Sequence, residues 1–218
     1  MISTDELINS LAGQLAPVRR LKPPLVRALG WIALGTLLVG ALAVLRGLRP
    51  DLAGQLHDPA FLVKLGGAWL TAVTATLAAF EISLPDRRRA WLLLPLPGAA
   101  LWLYGFAYGC LADWVAIPTG APVVADSVRC LETIALASVP LAVVLWLMLR
   151  RARPLRPAGT AWMGGLAVAG FADMAHLMIH AVEASALVLV VNLVPVALIV
   201  ALGGLVGRLA LAPRAGGR

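Results

Sequence analysis

Asp173, His176, His180 and Glu183 stand three, four and three residues apart within a largely apolar stretch. On a helix that spacing places all four on one face. Imidazoles at positions i and i+4, as in His176 and His180, are suited to ligating a metal, and a thiolate from Cys110 or Cys130 would favour a soft ion. The same groups would serve equally as a hydrogen-bonded network around a water-filled vestibule, or, as a third reading, as a catalytic face. Cys110 and Cys130 read either as a disulfide or redox-active pair or as inert small apolar residues. The chain contains no Cys-x-x-Cys pair, nucleophile elbow, phosphate loop or paired-carboxylate hydrolase site, so no enzyme is expected.

The elements that must position these residues are membrane-crossing helices. With 61% hydrophobic and 13% charged residues, the composition departs far from that of a soluble protein. Six runs approach the roughly 20 residues needed to cross a hydrocarbon layer about 30 Å thick: Ala28 to Leu45, Ala60 to Ser83, Ala90 to Cys110, Cys130 to Leu149, Ala158 to His180 and Ala184 to Leu211. Their Leu, Ala and Val lack period-two alternation, which excludes a β-barrel. The expected fold is an all-α polytopic bundle of six transmembrane helices: a segment 1–27, a membrane domain 28–211 and a tail 212–218. Pro95, Pro97, Pro140 and Pro195 fall inside spans and should kink them.

Charge sets the orientation. Fourteen of the eighteen basic residues fall before the first span, in alternate gaps and after the last; the opposite side holds Arg46, Arg49 and Arg129, with Lys64 at the end of the second span. By the positive-inside rule both termini are cytoplasmic, and the net charge of +7 reflects topology rather than direct nucleic-acid contact. The first apolar run is too long for a signal-peptide core, so the opening segment is expected to stay in the mature protein. On the outer side, Lys64, Cys110, Asp113, Cys130, Glu132 and Asn192 should join the face of Asp173 to Glu183 in a polar chamber. The outer loops run from Arg46 to Pro59 and from Leu111 to Arg129, the second broken by Pro118, Gly120 and Pro122.

The opening segment has its own pattern. Ser3 and Glu6 have capping-box spacing, and Leu7, Ile8, Leu11, Leu15 and Val18 follow at helical intervals, predicting an amphipathic helix from Thr4 to about Ala16, ended by Pro17. So short a helix is marginal in water and needs a partner for its apolar stripe. Asp5 and Glu6 make anionic lipid a poor partner and a protein the better one.

Several segments together resemble the NrsF family, bacterial inner-membrane negative regulators of a sigma F-type extracytoplasmic-function sigma factor. They are TDELINSLAGQLAPVRRLKPP at the start, GLRPDL after the first span, GCLADW with Cys110, SVRCL with Cys130 and the RRARPLRP link. The resemblance implies an anti-sigma factor in the inner membrane, with both termini cytoplasmic. Its N-terminal tail, residues 1–27, would hold the sigma factor through Leu7, Ile8, Leu11, Leu15, Arg19 and Arg20 until an envelope stress, metal or oxidative, releases it. It also implies that Cys130 perceives the signal; the residues themselves add Cys110, His176 and His180 as sensing candidates. No cofactor is implied, although a metal ion held by His176, His180 and Cys130 would fit as a signal. Where the family usually has His-Cys near the outer end of the fifth span, this chain reads His180 and Ala181. The rival readings are a small six-helix metal or solute transporter using the face of Asp173 to Glu183, and a membrane thiol oxidoreductase.

Overall fold

A computed structural model of the protein describes residues 3–13, 21–113, 123–152, 154–180 and 201; for 108–113 and 123–131 it describes the backbone alone. Among the described residues there is helix and turn but no strand. The helices are α1 (Thr4–Gly13), α2 (Pro24–Arg46), α3 (Leu52–Gln55), α4 (Pro59–Ile82), α5 (Leu96–Asp113), α6 (Val123–Arg150) and α7 (Pro157–Ile179), with a 3₁₀ turn at Arg89–Leu93. Five stretches are long and apolar enough to cross a membrane: Pro24–Arg46, Pro59–Ile82, Arg89–Ala107, Glu132–Arg150 and Pro157–Ile179. By length and composition they suggest a membrane protein. The expected sixth span, Ala184 to Leu211, lies outside the described residues.

Local chemistry sets the boundaries. Proline opens α2, α4 and α7, where its missing N–H costs nothing because a first-turn amide has no intrahelical acceptor. Asp58 caps α4 by accepting from the backbone N–H of Ala60 at 3.1 Å and of Phe61 at 3.2 Å. Gly47 stops α2 at φ +86°, a backbone conformation closed to most L side chains.

Two expectations need correction. The third run, Ala90 to Cys110, is not one helix but a 3₁₀ turn followed by α5, with Leu94 and Pro95 between them. Pro97 lacks the N–H that an α-helix continuing through this point would use. The helix therefore restarts there, with the Ala99 N–H donating to the Pro95 carbonyl at 2.9 Å. The loop expected from Leu111 to Arg129 is also shorter. Helix α5 continues to Asp113 and α6 begins at Val123, because the helix-breaking residues Pro118, Gly120 and Pro122 all lie between those two ends. The other outer loop contains the short helix α3.

Helices α4 and α7 form the centre: α4 runs along α5 and α7, α7 also packs on α6, and α2 touches α4, α6 and α7. Small residues allow this closeness, as is usual where lipid offers no hydrophobic drive between helices. A Cβ on Gly67 would stand 2.5 Å from the Trp102 nitrogen, and one on Gly170 would stand 2.8 Å from the Ala68 carbonyl oxygen. Trp31, Phe80, Leu141 and Phe171 fill the middle, with Trp31 edge-on to Phe171 at 5.4 Å between centroids. Threonine hydroxyls buried there return to their own helices: Thr71 donates to the Gly67 carbonyl at 2.7 Å and Thr76 to that of Ala72 at 2.6 Å.

Candidate functional site

The bundle has two ends. The near end carries the start of α2 and the links α4–α5 and α6–α7; the far end carries Arg46, α3 and the end of α7. The described members of the expected polar group, Lys64, Glu132, Asp173, His176 and His180, lie in or directly beside the far-end parts of α4, α6 and α7. Asp173 and His176, on the inward face of α7, are each only 3% exposed. An acidic side chain near the middle of a lipid layer costs about 2.5–3.5 kcal/mol. Here its carboxylate accepts a hydrogen bond from the Trp102 indole of α5 at 2.8 Å.

The helix stops one residue before His180, whose backbone is extended (φ −103°, ψ 127°), so the four residues do not all ride on one helix face. The ring nevertheless stacks on His176, with centroids 5.1 Å apart and planes 29° from parallel. His180 Nε2 lies 2.8 Å from the Thr133 hydroxyl of α6. The imidazoles thus lie face to face. Among the described residues, no three of His, Cys, Asp and Glu converge as metal ligands would. Cys110 lies near the end of α5 and Cys130 in the first part of α6; their side chains, with those of Asp113, Glu183 and Asn192, are outside the described set.

The loop after α2 closes over this cluster. The backbone N–H of Arg49 donates to the Met178 carbonyl at 3.1 Å, satisfying an acceptor in the last turn of α7. Its guanidinium grips Asp51 through two 2.7 Å bonds and lies 5.6 Å from the Phe61 ring centroid. That bidentate grip holds the Asp51 carboxyl down at about 2. Beside it Arg46 pairs with Glu132 of α6 at 2.6 Å. Lys64 sits on α4 with Nζ 5.9 Å from the Phe106 ring centroid. The residues that complete the cluster and that the sequence did not single out are Trp102 and Thr133. A buried indole N–H requires an acceptor, which was the available signal for Trp102. Thr133 offered none.

The tail has the predicted start. Ser3 Oγ accepts from the Glu6 N–H at 3.2 Å while Glu6 Oε2 accepts from the Ser3 N–H at 3.0 Å, a reciprocal capping box. No residue of α1 is buried; Leu7, Ile8 and Leu11 are 50, 57 and 57% exposed along one stripe. Leu15, Arg19 and Arg20 lie outside the described residues. An uncovered apolar stripe on so short a helix can do one thing chemically: bury itself against something else.

A family model described as NrsF, negative regulator of sigma F, matches residues 11–212. The chain belongs to this family. As an NrsF protein it is a negative regulator of a sigma factor, which makes a sigma factor its partner; the family is not an enzyme class. The match takes in Leu11 and the whole far-end cluster, and begins after Leu7 and Ile8. No curated protein and no solved structure matches the chain.

Proposed function

We propose that this protein is a membrane-bound anti-sigma factor: residues 1–27 hold an extracytoplasmic-function sigma factor at the cytoplasmic face of the inner membrane, and an envelope stress acting at the far end releases it. The observation that carries this reading is the capped but uncovered helix α1, whose Leu7, Ile8 and Leu11 offer an apolar stripe to a partner. The distribution of arginines supports placing the near end and both termini in the cytoplasm.

The far end supplies groups on which a metal or oxidative signal could act, His176, His180 and the cysteines among them. A signal shifts a balance between holding and releasing states only through different affinity for the two. Transport finds less support. Between Asp173 and the near end the described part of the core is closed by Phe171, Trp31, Leu141 and Phe80, and its threonines bond their own helices.

The test is co-purification of the full-length protein in detergent with its sigma factor. The parent should capture the sigma factor, and Leu11→Asp should abolish capture while leaving membrane insertion intact. A parent protein that captures nothing refutes the assignment.

A further inference from the structure

Helix α2 is tied to α6 by polar contacts at three points, two at the near end and one at the far end. At the near end the Arg27 guanidinium donates to the Met148 carbonyl, with Phe80 beneath it at 4.9 Å from the ring centroid. One turn further the Trp31 indole donates to the Leu141 carbonyl at 3.2 Å. At the far end Arg46 pairs with Glu132 at 2.6 Å. As one partner number rises the other falls, which is the register of two antiparallel helices. Against α4 and α7, apart from Arg27 over Phe80, α2 presents apolar and aromatic surface, such as Trp31 on Phe171. The hydrophobic effect has no direction, whereas a hydrogen bond or ion pair fixes one register.

Helix α6 is also the element that reaches the far-end cluster. Cys130 lies two residues before Glu132, and Thr133, the next residue, contacts His180. Helix α2 leads to the tail through Pro23, held extended at φ −49° and ψ 145°. Two consecutive prolines leave that joint little freedom to absorb a movement.

We propose that α2 and α6 move as one body, fastened by Arg27, Trp31 and Arg46, that carries a displacement at the far end to the tail some 28 Å away across nineteen residues of α2. This rests on reading the tail as the sigma-holding segment and supplies its regulation: the far end controls the tail through α6, not through the more central α4 or α7. Arg27 and Trp31, both buried and turned to α6, act here as positioning residues.

The experiment is hydrogen exchange on the full-length protein in lipid nanodiscs, read at the first turns of α2. Glu132→Arg should speed exchange at residues 25–31 about two- to five-fold, the range that loss of a half-exposed ion pair supplies. Restoring the pair by combining it with Arg46→Glu should return exchange to the parent rate. In an Arg27→Met, Trp31→Phe background the far-end change should no longer reach these amides. If Glu132→Arg does not insert, Glu132→Gln takes its place. Unchanged exchange in an inserted variant overturns the proposal, as does an effect that persists without the near-end fastenings. Capture of a purified sigma F-type sigma factor by the parent is scored separately: its failure sinks the anti-sigma reading, whereas transmitted exchange without capture leaves the α2–α6 coupling standing.

Discussion

Replacing Gly67 with Ala should push α4 from α5 and unfasten Asp173 at the same time. The added methyl would lie 2.5 Å from the Trp102 nitrogen and 2.8 Å from its Cα, atoms of helix backbone that cannot rotate away. Carbon contacts settle at about 3.5–4.0 Å, so the helices must part by roughly 1 Å. Overpacking of this kind costs about 1–3 kcal/mol. Trp102 moves with its backbone, and the 2.8 Å bond to Asp173, lengthened by about that much, ceases to be a hydrogen bond. Interhelical hydrogen bonds in membranes contribute about 0.6–1.7 kcal/mol. Sterics therefore set the larger share. Reversible unfolding by sodium dodecyl sulfate in mixed micelles measures the sum. In a Trp102→Phe background the Gly67→Ala penalty should shrink by the hydrogen-bond share, because that bond is already absent. A Gly67→Ala protein within about 0.5 kcal/mol of the parent would refute the close approach. Equal penalties in the two backgrounds would refute the link between packing and the buried carboxylate.

Three further outcomes concern Gly47, Gly30 and Asp51. Gly47→Val should cost about 1–3 kcal/mol, because φ +86° suits glycine alone while no neighbour lies within 4 Å of the new Cβ; Gly30→Ala, in equally open space on a regular helix, should be neutral or stabilising in the same unfolding assay. The Asp51 carboxyl, lowered from 3.8 to about 2 by Arg49, contributes its stabilisation above 3.8 and loses it as pH falls through about 2. Carbon-13 carboxyl shifts in micelles should therefore show Asp51 still ionised at pH 3; a midpoint at or above 3.8 would refute the grip.

Much of the fold was readable from hydropathy. All five spanning stretches fall within a few residues of their expected limits at both ends, because an apolar run of this length has no other stable form in lipid. The capping box of Ser3 and Glu6 was readable for a different reason: it is a contact between residues three apart, so sequence spacing is spatial spacing. The break before α5 was only half visible, since Pro95 and Pro97 announced a kink but not that the helix would restart as a separate element.

The site divides along the same line. That Asp173 and His176 face inward follows from the expense of exposing them to lipid, and their burial agrees. What each one meets does not follow. Trp102 and Asp173 are seventy-one residues apart, Thr133 and His180 forty-seven, and the fastenings from α2 to α6 longer still. Local pattern dictated which segments are long and apolar enough to cross lipid, where they start and which of their faces turn inward, because hydration and backbone hydrogen bonding act within a few residues. The choice of neighbour was made by how closely Gly67 and Gly170 let particular helices approach and in what register, and that contact geometry exists only once the bundle is assembled.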